Sequence, residues 1–286
     1  MNKITLALIS ILLMNIFIES TKTSTSDEIT VCHDPATEAF AAFASDPDFR
    51  AEHKDPIPFE YKSEAGESIT FDTPDGKTGN ALFLKNEEHP KNYLFVIHEW
   101  YGLNDYIKQT AEKLYNDLGN VNVMALDLYD GKVADNSKDA GKYMQAVKTE
   151  RAESIIKGAM QFAGADAKIY TIGWCFGGGW SLQATLLAGD QASGCVIYYG
   201  MPVKDVDRLK TLNTDVLGIW AANERWINPQ VVAEFEENMK KAGKKLMSHS
   251  YEAEHGFSNP SNPDYDPTSS ASAYAKTLLF LRDRME

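Results

Sequence analysis

Three residues of the kinds that make a hydrolytic site follow one another along this chain: a cysteine at 175, a glutamate at 224 and a histidine at 255. Cys175 lies in Gly173-Trp174-Cys175-Phe176-Gly177, directly after the apolar stretch Lys168 to Ile172 and before the helical stretch Trp180 to Leu187. That order reads as strand, sharp turn and helix. A nucleophile elbow needs small residues two positions before and two after the nucleophile, because side chains there would collide. Gly173 and Gly177 meet the requirement. The turn lifts the sulfur above the sheet edge and the helix N-terminus stabilises negative charge on it, so a thiolate at neutral pH is expected. The motif is short, and free cysteine is often simply buried, so its partners decide the reading.

A nucleophilic thiol needs a base, and the base an orienting acid, in the chain order nucleophile, acid, histidine. Downstream of Cys175 stand only His249 and His255. His249 falls inside the run Lys245 to Tyr251 and reads as a strand-face residue, whereas His255 follows that run where a loop begins, and is the better base. Glu224 is the only carboxylate in the loop after Asp215 to Trp220. Composition alone would pair it with Arg225 on the surface; its place in the order makes it the acid. The apolar run Tyr93 to Ile97 reads as a buried parallel strand ending in His98-Glu99-Trp100-Tyr101-Gly102. The loop after such a strand and the residue after the nucleophile supply backbone oxyanion donors, here the N–H groups of Trp100 and Phe176.

Four separated segments carry a family likeness: Val96-Ile97-His98-Glu99 with Gly102, Asp127-Leu128-Tyr129, the elbow Gly173 to Gly178, and Tyr251 to Phe257. From about Ser68 onward the chain resembles the dienelactone hydrolases. The resemblance implies that Glu99 contacts the resting thiol and helps convert it to thiolate when substrate binds. It also exposes three departures. The acid is Glu224 where aspartate is usual; Asp130-Gly131-Lys132 stands where the dienelactone enzymes carry a substrate-gripping arginine; and Asn259 occupies the place of a second arginine. Neither asparagine nor a displaced lysine reproduces a bidentate arginine clamp. A small-molecule ester or lactone less acidic than dienelactone, or one held by other groups, is therefore the expected substrate. Tyr101, Tyr129, Trp174 and Trp226 are candidates for its pocket, with Trp180 read as core.

The elements that must position these residues follow from periodicity. Strand-like runs occur at Ser68 to Phe71, Ala81 to Lys85, Tyr93 to Ile97, Val121 to Leu126, Lys168 to Ile172, Cys195 to Tyr199, Val216 to Trp220 and Leu246 to Tyr251. Helical spacing links Ile107, Ala111, Leu114 and Leu118, and again Tyr274, Leu278 and Leu281. The pattern predicts an α/β class protein of α/β-hydrolase fold, with a mostly parallel eight-stranded sheet and helices on both faces. Residues 1–20 read as a signal peptide, with Lys3 before an apolar core from Ile4 to Ile18, although an uncleaved anchor stays open because no A-x-A site is visible. Residues 21–64 read as an N-terminal extension with a short helix at Ala36 to Ala44, and 65–286 as the hydrolase domain. Export to the periplasm or exterior, with no integral membrane span in the mature chain and a monomer by default, is the expectation.

The 286 residues are 43% hydrophobic and 24% charged, enough for one large core, and the net charge of -13 argues against nucleic acid as a partner. Cys195 reads as core, and Cys32 as free or disulfide-bonded. No C-x-x-C accompanies Cys175, which argues against a thiol redox protein. The triad calls for no cofactor, and the sequence shows no closed set of metal-ligand spacings. The alternatives are an acyl transferase using the same thiol, or a non-catalytic ligand-binding protein on the same fold.

Overall fold

The computed structural model describes Glu38 and residues 42–285. The signal segment 1–20, Cys32 and most of the predicted helix at Ala36 to Ala44 lie outside the described residues. Eight strands form one sheet: β1 (Glu67–Asp72), β2 (Thr78–Leu84), β3 (Asn92–Ile97), β4 (Asn122–Leu126), β5 (Lys168–Trp174), β6 (Ala192–Tyr198), β7 (Val216–Ala221) and β8 (Leu246–Tyr251). Their spatial order is β1-β2-β4-β3-β5-β6-β7-β8. The pairs β1 with β2 and β2 with β4 are antiparallel, and every later pair is parallel.

β3 and β4 are buried at every position, and β5 at all but its first, as expected of strands covered on both faces. The covering helices are α1 (Pro47–Glu52), α2 (Asp105–Leu118), α3 (Ser137–Ala146), α4 (Thr149–Ala163), α5 (Phe176–Ala188), α6 (Val206–Leu209), α7 (Pro229–Lys241) and α8 (Pro267–Met285). Among the described residues no helix is long and apolar enough to cross a membrane. The eight-stranded expectation holds. β6 starts earlier than its apolar run, because the small residues Ala192, Ser193 and Gly194 still pair with β5 across an irregular register at Ile169/Tyr170. Cys195 is fully buried in β6 and His249 lies within β8, as expected.

A buried polar knot fixes α5 on β5 beneath the elbow. The Thr171 hydroxyl lies 2.8 Å from Ser181 Oγ and 2.7 Å from Thr185 Oγ1, while Ser181 Oγ donates to the Val196 carbonyl at 2.9 Å. The hydroxyls satisfy one another away from water, as buried polar groups must.

Candidate active site

Cys175 ends β5 and caps α5 with φ 54° and ψ -119°, a conformation that L-residues rarely adopt. The crowding around it explains the flanking glycines. A Cβ on Gly173 would meet the Gly177 carbonyl oxygen at 2.0 Å, and one on Gly177 would meet the Ile97 and His98 carbonyl oxygens at 2.3 and 2.4 Å. The Cys175 N–H donates to Tyr198 O at 2.9 Å, anchoring the turn to β6. Burial pushes the thiol above its ordinary value, against the lowering effects of His255 and the Phe176 N–H. Desolvation at Cys175 thus works against the thiolate that the helix N-terminus favours, while the facing His255 works for it.

The loop after β8 carries His255 to the elbow, and the loop after β7 carries Glu224. His255 Nδ1 lies 2.8 Å from Glu224 Oε1, both side chains almost wholly buried; the ring N–H is not aimed at that oxygen, so the contact is an ion-pair approach. Glu224 Oε1 also accepts the Ile227 N–H at 3.1 Å. Burial opposes a charged His255 ring, yet the facing Glu224 carboxylate and the Cys175 sulfur outweigh it and hold the imidazole well above its usual range. Arg225, the surface partner composition would have given Glu224, pairs instead with Asp48 at 2.7 Å.

Glu99 is 7% exposed, and burial pushes its carboxyl up to about 7. Its oxygens accept from Asn259 Nδ2 and, at 3.4 Å, from the Tyr199 hydroxyl. The hydrogen bonds of Glu99 therefore go to Asn259 and Tyr199, whereas the Cys175 sulfur faces the His53 imidazole. Asn259 is itself held, its Oδ1 accepting from Ser261 N and Oγ at 2.8 and 2.7 Å. Its amide group is thus tied to Glu99 on one side and to Ser261 on the other. His98 fixes the same loop, Nδ1 donating to Glu99 O at 2.7 Å and Nε2 accepting from Leu128 N at 3.1 Å.

The candidate pocket aromatics divide. Trp174 lines a cavity of about 530 Å³ together with Tyr106, Tyr198, Tyr265, Tyr274 and Leu278. Tyr129 is buried, its hydroxyl donating to Trp100 O, and Tyr101 donates to the Lys54 carbonyl. Trp226 packs edge-on against Phe49, ring centroids 5.1 Å apart. Trp180 is 1% exposed, as a core residue should be. A cavity of about 20 Å³ adjoins Cys175 and His255, and Glu99 and Asn259 line both it and the larger one.

Sequence reasoning missed one residue of this site, His53. The segment carrying it, ahead of β1, lies across the elbow. Asp46 caps α1 through a 2.8 Å bond from the Asp48 N–H, with Pro47 in the first turn. One helical turn separates Phe49, buried among Trp100, Trp226 and the two site histidines, from His53. His53 Nδ1 lies 2.7 Å from the Phe49 carbonyl, which fixes the proton on Nδ1 and leaves Nε2 facing Cys175 Sγ at 3.8 Å. Although the residue keeps some solvent contact, its ring stacks on Trp100 at 4.5 Å, and burial, with the neighbouring His255, pushes its pKa down to about 3. Past the site the segment is latched by Ile57 N to Ser261 O at 3.1 Å and by Lys54 to Asp264 at 2.7 Å. The Asp-Pro helix start and the Phe49/His53 spacing were visible in the sequence; where that helix docks was not.

A strained nucleophile elbow at the carboxyl end of a mostly parallel, doubly covered sheet defines an α/β-hydrolase. A dienelactone hydrolase-like promiscuous phosphotriesterase from metagenomic libraries has the same fold, with a TM-score of 0.66 and 21% identity over 77% of this chain and 99% of that one. The chain belongs to the dienelactone hydrolase family, whose model matches residues 80–285, and it is a hydrolase. It is 27% identical to protein usf of Aquifex pyrophilus over 66% of this chain and 87% of that protein. To carboxymethylenebutenolidase 1 of Cupriavidus pinatubonensis it is 22% identical, over 65% and 83%. The family match begins at residue 80, so His53 lies outside it.

Proposed function

We propose that the protein cleaves a carboxylic ester or lactone through Cys175, His255 and Glu224 and a thioacyl-enzyme intermediate. The observation that carries this reading is the convergence of a strained, buried Cys175 with a His255 ring that lies 2.8 Å from Glu224. His255 Nε2 takes the thiol proton and the thiolate attacks the carbonyl carbon. The resulting oxyanion faces the N–H groups assigned to Phe176 and Trp100. Collapse breaks the acyl carbon–oxygen bond as His255 returns the proton to the leaving alkoxide. A water deprotonated by His255 then attacks the thioester, releasing the carboxylic acid and restoring the thiol. Glu224 holds the imidazole orientation and stabilises its cationic form. Glu99, with a pKa near 7, is suited to exchange a proton close to the thiol at neutral pH.

The 530 Å³ cavity, rich in tyrosine and with Trp174 in its wall, suits the body of a ring-bearing ester. Two cationic clamps of the dienelactone enzymes have no counterpart at their positions: Asn259 is engaged with Glu99, and Lys132 lies over the Tyr143 ring, 5.6 Å from its centroid, while the cations of the cavity wall, Lys113 and Arg282, are engaged with Asp117. This supports a substrate without the free carboxylate of dienelactone. We also propose residues 1–20 as an export signal, to be checked by N-terminal sequencing of the mature chain. Hydrolysis of neutral and anionic aryl esters and lactones by the full protein and by Cys175→Ala tests the reading. Loss of turnover in Cys175→Ala with unchanged circular dichroism supports it, as does preference for neutral esters. Equal turnover in the variant overturns it.

A further inference from the structure

Three donor atoms converge where the N-terminal segment crosses the elbow. One ligand atom each from His53, Cys175 and His255 lies within 4.8 Å of the other two. Cys175 Sγ and His53 Nε2 are 3.8 Å apart. A tetrahedral zinc centre, with bonds of about 2.3 Å to sulfur and 2.0–2.1 Å to nitrogen, spaces its donors by about 3.5 Å. Only a small contraction separates the present arrangement from that geometry.

Both imidazoles are already oriented as metal ligands are. In protein zinc sites the ring nitrogen away from the metal is held by a carboxylate or a backbone carbonyl, which fixes the tautomer. His53 Nδ1 is held by the Phe49 carbonyl, and His255 Nδ1 faces Glu224. His53 Nε2 is thereby left with its lone pair toward the sulfur, and His255 Nε2 can offer its own once its proton leaves. His255 Nε2 is buried with no hydrogen-bond partner, an orphan that buried polar atoms seldom remain. The cavity these groups enclose is about 20 Å³. A cavity of roughly 10–15 Å³ holds one water, so this one has room for a single small ion.

We propose that His53, Cys175 and His255 form a site for one thiophilic divalent cation of the zinc class, and that occupancy reversibly silences the nucleophile. The silencing clause rests on the hydrolase reading above; the binding clause does not. Binding displaces the proton that Cys175 and His255 share, forming S–Zn and N–Zn bonds and releasing that proton to solvent, with no change of oxidation state. The two imidazoles bind as neutral ligands, and a fourth position stays open to water. Affinity therefore rises with pH as the proton is removed. Because the third ligand comes from the segment ahead of the family domain, the site belongs to this chain's own extension.

The test is a titration of the full-length protein with Co2+, a spectroscopic stand-in for Zn2+, following the near-ultraviolet thiolate-to-cobalt charge-transfer band. Zn2+ competition and metal content measured after dialysis accompany it. One equivalent should bind, with the band present in Cys32→Ser and in the surface control His89→Ala but absent in Cys175→Ser. His53→Ala should weaken binding by more than the roughly 10–100-fold that loss of an outer-shell partner costs. Zn2+ should also protect Cys175 from alkylation and abolish ester hydrolysis, both restored by chelator. No band, a band that survives Cys175→Ser, or unchanged affinity in His53→Ala overturns the site. If Cys175→Ala proves as active as the parent while the band behaves as described, the cation site stands and the triad reading falls.

Discussion

Acidification from pH 7 to pH 5 should loosen the N-terminal segment from the active site. His53 docks as a neutral ring with a pKa near 3, whereas a free histidine titrates at 6.5. The docked form thus binds fewer protons than the undocked form. Its advantage is fully present above pH 6.5 and is lost as pH falls from there toward 3. Between pH 7 and pH 5 the linkage integral for these two pKa values is about 2 kcal/mol, or roughly 25-fold in the docking equilibrium. Partial solvent contact of His53 makes that an upper figure. The charged or titratable neighbours are His255, Cys175, Glu52 and Glu99; a cationic His255 opposes a second cation beside it and adds to the effect. The assay is amide hydrogen exchange, normalised for intrinsic rate, at the Ile57 N–H, which is bonded to Ser261 O when the segment is docked. Its protection should fall by up to the stated factor while that of β3 and β5 holds, and His53→Ala should lose the pH dependence. Protection that is flat from pH 7 to pH 5, or that falls equally in His53→Ala, refutes the reasoning.

Three further outcomes follow from the site. Glu224→Gln keeps the shape but removes the charge that raises the His255 pKa, so kcat should fall by roughly 10^4-fold with circular dichroism unchanged; a loss under tenfold would take the acid role away from Glu224. Gly177→Ala places a Cβ 2.3 Å from the Ile97 carbonyl oxygen, an overpacking expected to cost about 1–3 kcal/mol. At about 2–4 °C per kcal/mol for a chain of this size, calorimetry should show a clearly lower Tm, and an unchanged Tm would contradict the crowding. Asn259→Ala removes a donor that lowers the Glu99 pKa, so the Glu99 carboxyl, followed by infrared spectroscopy, should titrate above its present midpoint near 7; a midpoint that stays or drops would show that Asn259 does not hold Glu99.

The sheet was legible because buried parallel strands leave near-continuous apolar runs, as in Tyr93 to Ile97, bounded by polar loops. The elbow was legible because steric crowding at Gly173 and Gly177 admits nothing larger. Chain order placed Glu224 and His255 on the right loops, and the fold brings their side chains to 2.8 Å. What stayed hidden depends on contacts between distant segments. Nothing local distinguishes an aromatic such as Tyr101 that holds the Lys54 carbonyl from one that greets substrate. Nor does the identity of Asn259 disclose that it restrains Glu99. Nor does the helix terminus, a local feature, disclose the opposing desolvation of Cys175, a property of the packed structure.

The latch of Lys54 on Asp264 joins positions 210 residues apart. During synthesis the segment carrying Lys54 emerges 210 residues ahead of the loop it grips. The elbow at 175 can form with β5 and α5 well before either. A long non-local closure of this kind comes late in folding, since its loop entropy is recovered only once the intervening strands are in place. The nascent chain therefore passes through a stage in which its reactive sulfur is built but uncovered. Maturation ends when the segments carrying Lys54 and Asp264 meet over it, so removal of either segment would leave the same thiol bare.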